Sequence, residues 1–437
     1  MALKVGMIAL GCAKNLVDSE RMLGVLRAAG FEITRDSNRA DVLIVNTCGF
    51  IGPAKEESIK AVLDAARAKE FGACRALVVT GCLSERYRDE LWQELPEVDA
   101  MGGTGAAAGI VDLVREAMAG TRPRHFEGCD ISELDRLPRV LATPAHTAYL
   151  RIAEGCDNRC AYCVIPTIRG PLRSRSLGDV LEEAQRLVAS GVKELVLIAQ
   201  DTTAYGHDRR ERQGLDVLIR ELGQVDANWV RVMYAHPAHL DEKIIAAMAA
   251  SPNCCAYLDL PLQHASPSVL ARMGRPPLEV SLGTISRLRE AIPAIALRST
   301  FMVGFPGETE ADVQLLLGFL EEMAFDHVGV FVYSLEDDTP AATMTPLVDE
   351  KEAVSRRDRA MSLQQSIARR NNAGRVGSII TVLVDRSGRS RSYGRGEHQA
   401  PEVDGQVIIR GKAVPAGELV RVRITGAGAY DLKGELV

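Results

Sequence analysis

No stretch of these 437 residues approaches the ~18 consecutive apolar positions of a membrane-spanning helix, so a membrane partner is not expected. A surplus of basic charge is also missing. The 52 Lys and Arg stand against 58 Asp and Glu, a formal net charge of -6, which removes any whole-chain argument for nucleic-acid binding and leaves only local patches. The N-terminal run MALKVGMIALG lacks the basic n-region, apolar h-region and small-residue cleavage site of a secretory leader. Internal repeats and low-complexity tracts are absent too. These absences point to a cytoplasmic globular protein whose substrate class has to be read from local sites.

Ten cysteines are present, in a compartment that keeps thiols reduced. They therefore suggest metal or redox chemistry ahead of disulfides. At roughly 150 residues per domain the length predicts about three domains. Residues 1–120 alternate strand and helix (KVGMIALGC, the amphipathic SERMLGVLRAAG, DVLIVNTCG, ALVVTGC), which predicts an N-terminal parallel-sheet α/β domain. Residues 121–146, with Pro123, Pro138 and Pro144 and no sustained period, read as a linker. Residues 147–373 hold six strand-like runs separated by helix-like ones, a partial (βα)6 barrel, and end on a polar helix. Residues 374–437 switch to short β-rich runs with Gly turns, a small all-β barrel.

Cys12, Cys48 and Cys82 each stand just beyond the carboxyl end of a predicted strand, 36 and 34 residues apart, about one βα unit each. Ligand sites of open parallel sheets lie outside those ends, so the three thiols can converge on one metal or cluster. Gly11, Gly49 and Gly81 would let backbone approach a bulky inorganic group. The competing reading is three buried cysteines acting as small hydrophobes. Cys74, Cys129, Cys254 and Cys255 lack this placement and are assigned to packing.

Cys156, Cys160 and Cys163 form CxxxCxxC directly after the first barrel strand. One loop of this spacing can wrap an iron–sulfur cube. Zinc is the alternative, but structural zinc normally takes four protein ligands and no fourth follows. Three thiolates leave one iron open, at the end of a βα barrel where active sites lie.

CxxxCxxC resembles the signature of radical SAM enzymes. That resemblance implies a 4Fe–4S cluster whose free iron chelates S-adenosylmethionine and, on reduction, yields a deoxyadenosyl radical. Together with the three-cysteine domain and a terminal barrel resembling a TRAM domain, the whole chain is similar to the radical SAM methylthiotransferases. Within that family GCAKNLVDSE (11–20), YLDLPLQHAS (257–266), VIPTIRGPLRSR, GFPGETE, YSLEDDTPAA and APEVDGQV resemble the branch that modifies an aspartate of small-ribosomal-subunit protein twelve. The branch acting on adenosine in tRNA is the nearer alternative. A structural metal-site RNA-binding protein is the distant one.

The resemblance implies two 4Fe–4S clusters, one on Cys12, Cys48 and Cys82 that presents sulfur, and one on Cys156, Cys160 and Cys163 that generates the radical at the aspartate β-carbon. SAM is implied as both radical source and methyl donor, and a flavodoxin or ferredoxin as reductant. The protein substrate is met free or on the ribosome. Tyr162 is expected to pack on the adenine or shield the cluster. Gln200 and Asp201, and Gly304 with Phe305 and Pro306, occupy positions that border SAM in relatives, or are ordinary turn residues. His264 faces substrate or is a bonded structural residue. Arg169, Arg173 and Arg175 meet an anion or form salt bridges. The terminal barrel carries ten Lys and Arg against seven Asp and Glu. Its acidic positions Glu397, Glu402 and Asp404 are candidates for holding a basic protein substrate.

Overall fold

The computed structural model describes residues 2–126, 131–211 and 213–437. The first sheet is built from β1 (Lys4–Ala9), β2 (Glu32–Thr34), β3 (Val42–Thr47), β4 (Ala76–Gly81), β5 (Ala100–Gly102) and β6 (Arg124–His125), in the order β2-β1-β3-β4-β5-β6. Every pairing is parallel. The runs VLIVNT of β3 and ALVVTG of β4 are buried at every position, as strands covered on both faces must be. Strand order reverses between β1 and β3. That switch point opens a crevice beyond the carboxyl ends, where such sheets bind ligands.

Three helices leave these ends: α1 (Ala13–Ala28), α2 (Gly52–Phe71) and the short α3 (Cys82–Arg86). The sequence predicts an amphipathic α1, yet Asn15, Asp18, Ser19, Glu20 and Arg21 are as buried as Val17 and Met22. The helix is enclosed between the first sheet and the next domain, and its polar face is satisfied by partners far away in sequence. Arg21 donates to Glu183, for example, across 162 positions.

The segment read as a linker is docked. β6 extends the first sheet past residue 120, a helix spans Ile131–Arg136, and the Val140 N–H donates to the Glu20 carbonyl at 2.9 Å. Its prolines interrupt helical period without freeing the chain. Gly24 of α1 makes the contact possible, since a Cβ there would stand 2.0 Å from the Pro138 carbonyl oxygen. Cys129 lies outside the described residues.

The second sheet has six parallel strands, β7 (Thr147–Arg151), β10 (Glu194–Ile198), β11 (Trp229–Val232), β12 (Cys254–Asp259), β13 (Ala296–Val303) and β14 (His327–Val332), side by side in chain order. This is the expected partial (βα)6 barrel, around the largest apolar core of the chain. Between its first two strands, β8 (Ala153–Glu154) and β9 (Arg173–Ser174) pair antiparallel and pinch the base of the CxxxCxxC loop.

β15 (Ile379–Ser387), β16 (Arg391–Gly396), β17 (Val407–Arg410), β18 (Leu419–Ala427) and β19 (Leu432–Leu436) close into a five-stranded barrel. It docks on the second sheet through buried ion pairs. Asp404 meets Arg298 at 2.7 Å and accepts from Tyr257 at 2.8 Å, while Arg395 meets Glu194 at 2.7 Å. The Asp404 carboxylate is wholly buried, so the sequence expectation that it holds substrate is corrected: it holds the domain. Glu397 and Glu402 remain exposed.

Candidate functional site

All six cysteines of the two sets line one cavity of about 350 Å³ between the first and second sheets. Cys12 caps the start of α1 beyond β1, Cys48 follows β3, and Cys82 opens α3 beyond β4. The neighbouring glycines serve the close approach of the three loops. A Cβ on Gly11 would meet Cys48 Cβ at 2.8 Å, one on Gly49 the Leu83 Cα at 2.7 Å, and one on Gly81 the Thr47 carbonyl oxygen at 2.5 Å. They let the three loops close on one another, and the convergence of the thiols is the result.

The second loop is tied down by its own backbone. The Cys156 N–H donates to the Gly170 carbonyl, Cys163 N–H to the Cys160 carbonyl, and Ala161 N–H to the Met273 carbonyl at 2.9 Å. Gly155, at φ 76°, admits the Pro171 carbonyl where a side chain would stand. Asn158 donates to Asp201 at 2.7 Å. Arg275 reaches Cys160 Sγ at 3.8 Å and the Pro261 carbonyl at 2.5 Å.

A buried ionic node joins the two sets. Arg169 donates to Asp18 at 2.9 Å, to Glu154 at 3.1 Å and to Cys82 Sγ at 3.3 Å; Arg151 donates to the same two carboxylates at 2.5 and 2.9 Å. Burial alone would raise the Glu154 carboxyl, but Arg169 and Arg151 override it and hold it down to about 2. Gln200 lines the cavity and donates to Glu154 at 2.8 Å, leaving its buried Oε1 unpartnered. The basic residues Arg169 and Arg175 are thus salt-bridged, Arg175 to Glu183 at 2.6 Å.

Two further expectations change. His264 is fully buried 3.4 Å from Glu308 and accepts from the Ser266 N–H, so it does not face the cavity. Gly304 is not a lining residue either; its N–H donates to Glu308, and Ala353 stands 2.5 Å from where its Cβ would be. Both belong to the packing behind β13, where a polar side chain and a turn glycine look like site residues in one dimension. Asp201 is buried with Thr203, Asn158 and His239 on its two oxygens, and it orients Asn158 instead of entering the cavity. Tyr162 does line it, packed beside Phe305 and Met273.

Sequence reasoning did not single out Lys14, Tyr234 or Gln263, which also line the cavity. Tyr234 and Gln263 hold φ of 59° and 76°, a region L residues rarely adopt. Backbone strain of this kind clusters at ligand sites, but no residue-type signal announces it beforehand.

The donors fit iron–sulfur clusters. Burial pushes the Cys82 and Cys163 thiols up to about 12. Among the described residues the one group of metal-ligating atoms within 4.8 Å of one another is Asp201, His236 and His239. Neither cysteine triad is that tight. Sulfurs sharing a single zinc at ~2.3 Å would be closer, whereas a multi-iron cluster spreads its ligands.

The chain matches the uncharacterized protein family UPF0004 over residues 4–103, the radical SAM superfamily over 150–320 and the TRAM domain over 376–437. The ribosomal protein uS12 methylthiotransferase RimO of Desulforudis audaxviator is 47% identical over 439 residues, covering 100% of this chain and 97% of the relative. The protein of that name from Symbiobacterium thermophilum is 50% identical, covering 99% and 90%. Among solved structures, the radical S-adenosylmethionine methyltransferase TsrM from Kitasatospora setae, with cobalamin and a 4Fe–4S cluster bound, superposes with a TM-score of 0.56 at 14% identity over 78% of this chain and 77% of its own. That likeness is one of fold. The superfamily brings SAM and 4Fe–4S clusters as cofactors, and the chain is a radical SAM enzyme. With identity near one half sustained from end to end, the chain belongs to the RimO family of methylthiotransferases.

Proposed function

We propose that the protein adds a methylthio group to the β-carbon of an aspartate in ribosomal protein uS12, the substrate named for its relatives. The observation that carries this reading is the single cavity shared by the two cysteine triads. Cys156, Cys160 and Cys163 would hold the cluster that chelates SAM, and Cys12, Cys48 and Cys82 the cluster that presents sulfur. When bound, these groups supply the radical, the sulfur and the methyl group, chemistry no side chain offers.

The chain's own residues confine and orient. The Arg169–Asp18–Glu154 node fixes α1 against the CxxxCxxC loop, which sets one triad relative to the other. Gln200 lines the cavity and is fixed by its bond to Glu154, and Tyr162 offers a ring for the adenine. Gly304 acts one layer behind by fixing Glu308. Beyond the six cysteines, the lining has no acidic side chain and three cationic ones, Lys14, Arg169 and Arg275.

Domain limits near residues 120, 146 and 373, cytoplasmic action on uS12, free or ribosome-bound, and electron supply by a flavodoxin or ferredoxin complete the proposal. No helix among the described residues is long and apolar enough to cross a membrane. Mass spectrometry of ribosomal proteins and of hydrolysed tRNA from a strain lacking the gene tests it. The methylthio group should vanish from uS12 and persist in tRNA; the reverse pattern overturns the assignment in favour of a tRNA enzyme.

A further inference from the structure

Three cationic side chains line the cavity: Lys14, Arg169 and Arg275. Two of them are hydrogen-bonded, though Arg275 holds no carboxylate and its Nε is unpartnered. Arg169 is held by Asp18 and Glu154, and Arg275 by the Pro261 carbonyl beside Cys160. Lys14 differs. Its side chain is only 7% exposed, yet among the described residues its ammonium has neither a hydrogen-bond acceptor nor an ion pair. Its near neighbour is the face of Tyr234, with Nζ 3.3 Å from the ring centroid.

An ammonium on a largely buried residue that has no anion bonded to it is costly to hold, and a ring face offsets only part of that cost. Tyr234 is itself held in its left-handed conformation by Asp259, whose carboxylate accepts from the Tyr234 N–H at 3.1 Å. An ammonium with no anion bonded to it, on a strained aromatic platform and facing a cavity whose lining beyond the six cysteines holds no acidic side chain, is placed to receive an anion that arrives from outside.

We propose that Lys14 receives the carboxylate of the target aspartate. The inference rests on the uS12 reading above and deepens it to the recognition of the reacting side chain. Lys14 stands in the first turn of α1, two residues beyond Cys12. A carboxylate anchored there places the adjoining β-carbon, one bond away, beside the triad that presents sulfur. An adenosine base brings no carboxylate and leaves the ammonium unpaired, so the same residue discriminates between the two substrate classes of the family.

The test uses anaerobically reconstituted enzyme with uS12 carrying either the target aspartate or asparagine in its place. Wild-type enzyme should prefer aspartate by about 100-fold in kcat/KM, the order expected for one partner of a buried charge pair. Lys14→Met should cut that preference to below about threefold, and Lys14→Arg should restore part of it. Lys14→Gln replaces the methionine variant if the latter fails to take up iron. An unchanged aspartate preference in the Lys14 variants overturns the inference and leaves the function standing. So does an altered EPR spectrum of the first cluster with the preference intact, which would assign the ammonium to the cluster. Wild-type enzyme that leaves uS12 unmodified overturns the function and the inference together.

Discussion

The two cysteine triads face the same cavity but are made in opposite ways. Cys156, Cys160 and Cys163 come from one loop, pinched at its base by β8 and β9 and held by its own backbone hydrogen bonds. Cys12, Cys48 and Cys82 come from three strand tips, and they meet only because β1, β3 and β4 are adjacent and because Gly11, Gly49 and Gly81 let their loops interpenetrate. A local triad survives as long as its loop does. The assembled triad depends on the whole first sheet and on the packing of α1.

The sharpest way to break this comparison is to remove one thiol from each set. Cys160→Ala should abolish both deoxyadenosine release from SAM and methylthiolation. Cys48→Ala should abolish methylthiolation while SAM cleavage on reduction persists, with iron falling from about eight to about four per chain. Chromatographic assay of deoxyadenosine beside iron analysis measures both. Loss of SAM cleavage in Cys48→Ala would mean that the triads do not divide the labour.

That same contrast governs what could be read in one dimension. The CxxxCxxC loop is visible because its spacing lies within eight positions, and the strand-tip cysteines because βα periodicity places them at equivalent ends. The α/β, partial-barrel and small-barrel architecture was legible from the same alternation. What could not be read was the set of pairings across long separations. Nothing near Asp18 announces Arg169, 151 positions away, and nothing in SERMLGVLRAAG shows that its polar face is buried. His264 and Asp404 failed as site residues for the same reason, because their partners, Glu308 and Arg298, were known only after folding.

Arg169 is where the two triads are coupled, so it gives the next largest effect. Arg169→Met leaves Asp18 and Glu154, both buried, with Arg151 as the one guanidinium they share. Breaking a buried ion pair of this type costs about 3 to 5 kcal/mol. Denaturant unfolding of the anaerobic protein should show that loss, and iron should fall at both triads. A variant that lost iron from one triad only would show that the node supports one wall of the cavity and not the junction between them.

Docking of α1 onto the second sheet is a step further from the triads. Burial would raise the Glu183 carboxyl, but Arg175, Arg21 and Arg139 hold it down to about 2. Its ordinary value is 4.5. Because the folded value lies below the unfolded one, the stabilisation is fully present above the unfolded value and is lost as pH falls toward about 2. The difference corresponds to about 3 kcal/mol. Glu183→Gln should therefore be less stable at neutral pH and show a flatter decline on acidification. Urea midpoints taken from about pH 6 to about pH 3.5 measure this slope. A parallel decline in both proteins would assign the acid sensitivity elsewhere.

The smallest effect comes from a cysteine that belongs to neither triad. Cys254 is half-buried at the start of β12, the amino end of its strand, where it packs against the main apolar core and its Sγ stands 3.9 Å from the Cys255 carbonyl. Burial pushes its thiol up to about 12, as it does for Cys82, so thiol acidity alone does not distinguish a ligand from a packing residue. Position does. Cys254→Ser should leave iron at about eight per chain and shift stability by less than about 1 kcal/mol, because the half-buried site can hydrate a hydroxyl. Iron analysis and a denaturation midpoint decide it. If this substitution lowered the iron content, placement at the carboxyl end of a strand would not be what selects the ligands, and the rule that joins Cys12, Cys48 and Cys82 would lose its basis.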